Sequence, residues 1–100
     1  MAAASPEELE TLLEDALLLQ DAQAVAALFV NGHLLVTEGG RVRERREAAD
    51  LLLRHEFLAR PRSVTVARDV ALVVGEHTVN VSCRGVDGAW RLVATVLSLL

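Results

Sequence analysis

Leu9, Leu12, Leu13, Ala16 and Leu17 recur at helical spacing, with Glu7, Glu10, Glu14 and Asp15 on the opposite side, which predicts an amphipathic first helix. Its start is marked by Ser5 as N-cap, Pro6 at the first helical position and Glu8 three residues after the cap. Asp21 then caps a shorter second helix through AQAVAALF, joined to the first by a tight kink. After Phe29 the period changes. NGHLLVTEGG has Asn-Gly at one end and Gly-Gly at the other, and reads as a strand over 33–38, with 41–45 pairing briefly alongside. REAADLLLRHEFLAR fits a third helix ended by Pro61. From Ser63 the pattern is β: SVTVAR, a turn near Arg68-Asp69, one long strand VALVVGEHTVNVSCR bent at Gly75, a turn at Asp87-Gly88, and AWRLVATVLSLL. Strands grouped after helices, rather than alternating with them, predict an α+β fold with the helices on one face of a curved, mainly antiparallel sheet.

One hundred residues make one domain, residues 1–100, and at this size most apolar side chains must join the core. The 52% hydrophobic content exceeds what a minimal core needs, so a pocket lining, an oligomer interface or both are expected. A net charge of −4 and the absence of Tyr, with one Trp and two Phe, argue against nucleic-acid binding. The basic run RVRERRE is interrupted by Glu44 and Glu47 and reads as a solvated face. All ten basic residues are Arg, a bias that points to a GC-rich bacterial genome. Cys83 stands alone, which leaves no internal disulfide and no cysteine-based zinc or redox motif. The N-terminal stretch lacks the basic and apolar regions of a secretory signal, and LVATVLSLL is too short to span a bilayer. A cytoplasmic protein without a membrane segment or cofactor is the expectation.

Three motifs in order carry a resemblance. ALLLQDAQAVAALFVNGHLLV, GGRVRERREAADLLL and RGVDGAWRLVATVLS resemble the helix pair, the return into helix 3 and the closing hairpin of the nuclear transport factor 2-like superfamily, in particular its SnoaL-like and ketosteroid-isomerase-like bacterial proteins. The resemblance implies a cone-shaped fold in which three helices pack on a strongly curved sheet around an apolar pocket. It fixes architecture better than activity, because the superfamily includes isomerases, cyclases, dehydratases, ligand binders and dimerisation modules. This chain is short for that family, which implies a smaller or more open pocket.

The isomerases of the family use a carboxylate base and a hydrogen-bonded acid pair that includes a tyrosine. Ungapped comparison sets Leu13 at the tyrosine position, Thr37 or Glu38 at the base and Asn80 near the second acid, so that chemistry is not expected here. Another acid/base arrangement would draw on His77, His33 and Glu38 as the candidate catalytic residues. The expected pocket lining is Leu13, Leu17, Leu35, Thr37, Asn80, Val81, Trp90 and Thr95. His55 reads as a solvent-facing residue of helix 3, and no histidine has the spacing to a carboxylate that a metal site shows.

Two faces of the last strands compete for the interior. A two-residue turn at Asp87-Gly88 sets Arg84 opposite Arg91, Asn80 opposite Thr95 and His77 opposite Ser98. Apolar patterning turns His77, Val79, Val81, Leu92, Ala94 and Val96 inward, whereas the isomerase comparison turns in Thr78, Asn80, Ser82, Val93, Thr95 and Leu97. The patterned face is preferred because burial of apolar groups has the larger driving force. The leading expectation is a homodimer, associated through its sheet, that holds a small apolar molecule. The alternatives are an isomerase, cyclase or hydratase using a histidine, and a dimerisation module with a closed interior.

Overall fold

The structure, a computed structural model, describes residues 2–54 and 61–97. Three helices, α1 (Pro6–Leu18), α2 (Ala22–Ala27) and α3 (Arg45–Arg54), pack on a six-stranded sheet. Its strands are β1 (Phe29–Thr37), β2 (Gly40–Val42), β3 (Pro61–Ala67), β4 (Val70–Gly75), β5 (Thr78–Arg84) and β6 (Trp90–Leu97), in the order β2-β1-β6-β5-β4-β3. Only the β1–β6 pair is parallel, so the sheet is mixed but mostly antiparallel. The expected class, α+β with three helices on such a sheet, is the one observed.

Local chemistry explains the helix ends. The Ser5 hydroxyl accepts from the Glu8 backbone N–H at 3.1 Å, and the Asp21 carboxylate accepts from that of Ala24 at 3.1 Å. Between the helices Gln20 takes the left-handed conformation (φ 56°) while the Asp21 N–H bonds to Ala16 O and the Gln20 N–H to Leu17 O. That pair of bonds closes α1 as a Schellman turn. The helix-covered core is built from Leu9, Leu13, Ala16 and Leu17 of α1, Val25 of α2, Ala48, Ala49 and Leu52 of α3, and Phe29, Leu35, Ala71, Leu92 and Leu97 of the sheet.

Several expectations need correction. The stretch 70–84 is not one strand bent at Gly75. Val74 pairs with Val79, so the chain reverses completely at Glu76-His77 and makes two antiparallel strands. Strand β1 begins at Phe29 rather than residue 33, and Asn31-Gly32 is an irregularity inside it. Phe29 pairs with Leu92 and Leu34 with Ala94, so β1 carries extra residues there, and Gly32 at φ 80° supplies the conformation this requires. The predicted continuation of α3 beyond Arg54, with His55, falls outside the described residues, as does Ser98.

The face of the last two strands is the third correction. Thr78, Asn80, Ser82, Leu92, Thr95 and Leu97 are buried, whereas Val79, Val81 and Ala94 are half-buried and Val96 is 47% exposed on the other side. The cause is a bulge. Arg84 pairs with Trp90, Cys83 with Arg91 and Ser82 with Leu92, but Val81 pairs with Ala94, leaving Val93 without a partner. The hairpin loop thus sets a register one residue away from the expected one, and the bulge restores it, so that Asn80 still faces Thr95. Patterning was therefore right at Leu92 but wrong at His77, Val79 and Val81, where β5 turns its polar residues inward, and wrong on β6 from Ala94 onward, where the bulge reverses the alternation.

Candidate functional site

The helix-covered face of the sheet carries polar side chains at its centre. Asn80 and Thr95 are opposite one another on β5 and β6, Thr78 and Ser82 flank Asn80 on the same face, and His33 reaches the group from β1. Glu10 closes it from α1. All six are buried, and His33 is 0% exposed.

Two hydrogen bonds link the cluster. The Asn80 Nδ2 donates to Glu10 Oε1 at 3.0 Å, and His33 Nε2 lies 3.2 Å from the Thr95 hydroxyl. The His33 ring is further fixed by stacking on Phe29, with centroids 4.0 Å apart and planes inclined by 5°. This stack depends on the Asn31-Gly32 irregularity, which brings both rings of one strand together. Four buried polar atoms, Glu10 Oε2, Asn80 Oδ1, His33 Nδ1 and Ser82 Oγ, have no hydrogen-bond partner among the described residues. Unmade hydrogen bonds at such depth cost about 1–3 kcal/mol each, which makes this a concentration of unspent binding capacity.

Burial also sets the charge state. Desolvation raises the Glu10 carboxyl above its ordinary value, against the smaller opposing effect of the Asn80 amide. Desolvation lowers His33 to about 4, so the imidazole is neutral at physiological pH. Burial therefore disfavours the charged form of both groups, the carboxylate of Glu10 and the imidazolium of His33.

The sequence-predicted residues divide sharply. His33, Asn80 and Thr95 converge in the cluster, and Leu13, Leu17 and Leu35 are buried in the helix-covered core. Trp90 is buried at the far end of β6, where its N–H bonds to Ala3 O and Arg84 lies over its ring at 5.8 Å, so it is a packing residue. Val81 points to the open face of the sheet. Thr37 is the last residue of β1, where its hydroxyl donates to Gly40 O and accepts from the Gly39 N–H, and Glu38 is exposed in the turn that follows. His77 sits at the β4–β5 hairpin tip with a side chain 54% exposed and 3.9 Å from Glu76. Neither is in the cluster: His77 occupies a tight reversal that the sequence reading had as continuous strand, and Glu38, read as the last residue of the strand over 33–38, sits in the turn that follows it.

Glu10 was missed by counting it with the polar face of α1. The signal was present: Glu10, Leu13 and Leu17 are spaced i, i+3 and i+7, which puts the carboxyl on the buried stripe. Among the described residues no three His, Cys, Asp or Glu side chains group as metal ligands, and no helix is long and apolar enough to cross a membrane.

No protein-family model and no curated protein matches this chain. Solved structures do. A protein from Thiobacillus denitrificans described as a putative calcium/calmodulin-dependent protein kinase type II association domain is 14% identical, with all of this chain and 98% of that one covered and a TM-score of 0.79. A ketosteroid isomerase-like protein from Erwinia carotovora atroseptica is 17% identical over 92% of this chain and 91% of its own, at a TM-score of 0.74. An NTF-2-like protein of unknown function from Shewanella oneidensis is 13% identical over 92% and 94%, at 0.72. The chain has the nuclear transport factor 2-like fold. At these identities the likeness concerns the fold alone.

Proposed function

We propose that this chain is a small-ligand-binding domain that works as a homodimer, with its ligand seated against the Glu10, Asn80, Thr95 and His33 cluster. The observation that carries the reading is the set of four buried polar atoms on the helix-covered face that have no hydrogen-bond partner among the described residues. A core evolved only for stability leaves few such groups. Leu13, Leu17 and Leu35 supply the apolar wall that an organic molecule needs beside them. Binding is favoured over acid/base catalysis, the enzymatic alternative, because a histidine lowered to about 4 is a weak base at neutral pH.

The opposite face supports the dimer. Directly paired residues form two aliphatic rows across the open side: Leu72, Val81, Ala94 and Leu34, then Val74, Val79, Val96 and Val36. Leu72 and Val96 are 42% and 47% exposed. An aliphatic patch of this kind is matched by a second copy of itself about a two-fold axis. The same face favours the second reading, a pure association module, in which the interior binds nothing.

A thermal-shift screen of the purified protein against neutral fused-ring, terpenoid and amide compounds separates the two. A ligand at about a hundred times its dissociation constant adds about 2.7 kcal/mol, or several degrees. The expected result is at least one stabilising compound whose effect vanishes in Asn80→Leu. Silence across the panel overturns ligand binding in favour of the association module.

A further inference from the structure

We propose that Glu10 and Asn80 together recognise a neutral molecule that presents a hydrogen-bond acceptor and a donor side by side, as a lactam or primary amide does. This deepens, and rests on, the small-ligand reading of the same cluster.

The single bond between the two side chains dictates the complement. Asn80 Nδ2 donates to Glu10 Oε1, so Oε1 is an acceptor and the proton of the neutral acid resides on Oε2. Oε2–H is then a donor without a protein partner, and Asn80 Oδ1 is an acceptor in the same condition. Both free oxygens belong to one buried pair of side chains, joined by the Nδ2–Oε1 bond of 3.0 Å. A ligand C=O accepts from Glu10 Oε2–H while its neighbouring N–H donates to Asn80 Oδ1. Ser82 Oγ, two residues along the same face of β5, is a further donor or acceptor for the same group.

The acid form follows from the surroundings. Among the described residues Glu10 has one hydrogen-bond partner, a neutral amide, and forms no ion pair. An ionised carboxylate there would be a buried charge with no counter-ion among the described residues, a more costly state than the acid. Other ligand classes fit less well. A carboxylate sets lone pairs against Asn80 Oδ1 and carries a charge into a desolvated space. An ether or tertiary amide has no donor for Asn80. A protonated amine satisfies Asn80 but requires Glu10 to ionise and both charges to lose their water.

The test is isothermal titration with four probes of similar size: oxindole, N-methyloxindole, benzoate and benzylamine. Oxindole is expected to bind, N-methylation to weaken it at least tenfold, and the two ions to bind more weakly still. Glu10→Met should reduce oxindole to the level of its N-methyl analogue, whereas Glu10→Gln, which keeps a donor on the same stem, should retain it. Equal affinity for oxindole and N-methyloxindole overturns the inference and leaves ligand binding standing. Preference for benzylamine overturns it in favour of an ionised Glu10. Silence from all four probes also overturns it, and silence together with no co-purified molecule in native mass spectrometry overturns the ligand-binding reading as well.

Discussion

Replacing Glu10 by Met and Asn80 by Leu at once should make the ligand-free protein more stable. In the native interior Glu10 Oε2 and Asn80 Oδ1 lack partners among the described residues, and each such group costs about 1–3 kcal/mol. Removing both recovers about 2–6 kcal/mol. The Asn80–Glu10 hydrogen bond is lost with them, at about 1 kcal/mol, so the net gain is about 1–5 kcal/mol. Glu10→Met alone behaves differently, because it strands the Asn80 Nδ2 as a new orphan and cancels most of the benefit. The two changes are thus non-additive by about 1–3 kcal/mol, which a double-mutant cycle reads directly. The assay is denaturant unfolding at pH 7 of protein refolded from denaturant, to strip any bound molecule, with all variants at one concentration because a dimer's stability depends on it. For a domain of this size the double variant should melt at least about 4 °C above wild type. A double variant less stable than wild type by the sum of the single effects would refute the reasoning, since the polar groups would then be stabilising the core rather than waiting for a ligand.

His33 makes the fold acid-sensitive. Its value falls from 6.5 to about 4 on folding, so the unfolded chain binds more protons between those limits, and stability present above about 6.5 is lost as pH falls towards 4. The size is on the order of 3 kcal/mol. Glu10, raised on folding, acts in the opposite sense, its contribution being full below its ordinary value and lost as pH rises through the folded one. His33→Gln should therefore remove the acid-sensitive limb and leave a protein more stable at pH 4.5 than at pH 6.5 in urea titrations, whereas an unchanged limb would place the titrating group elsewhere. Val81→Arg, at the middle of the open aliphatic face, buries an unpaired charge in the proposed interface and should weaken self-association at least a hundredfold in sedimentation velocity while leaving the monomer folded. His77→Ala, at an exposed hairpin tip, should change stability by less than about 0.5 kcal/mol and leave every ligand response intact.

The starts of the first two helices were legible because capping is local chemistry: Ser5, Pro6 and Asp21 announce themselves within a turn of the residues they serve, whereas the second helix ends at Ala27 and not at Phe29, which opens β1. The turn at Arg68-Asp69 was legible for the same reason, with Arg68 at φ 56° and Ala67 paired with Val70. The reversal at Glu76-His77 was not, because apolar residues on both sides read as one run and the pairing that separates them is tertiary. The bulge at Val93 had no local mark either, yet it decides which side chains enter the interior.

The preference for the patterned face failed for a more general reason. Patterning recognises apolar residues that want to leave water, but not which surface covers them. In this nuclear transport factor 2-like fold Val79, Val81 and Val96 line the open side of the sheet, and the helices cover Thr78, Asn80 and Ser82. The ungapped comparison with the isomerases located Asn80 and Thr95 correctly because it did not depend on hydrophobicity. Glu10 escaped both approaches: its charge type argued for solvent while its spacing argued for the core.

The most direct test of the central claim, that the polar interior rather than the hairpin tip or the open sheet receives a ligand, is NMR of the 15N-labelled protein during titration with the compounds that stabilise it. The prediction is that the Asn80 side-chain amide and the His33 ring nitrogens shift with saturation while His77 stays still. Shifts confined to His77 or to the Val81 and Val96 face, with Asn80 and His33 unmoved, would contradict it.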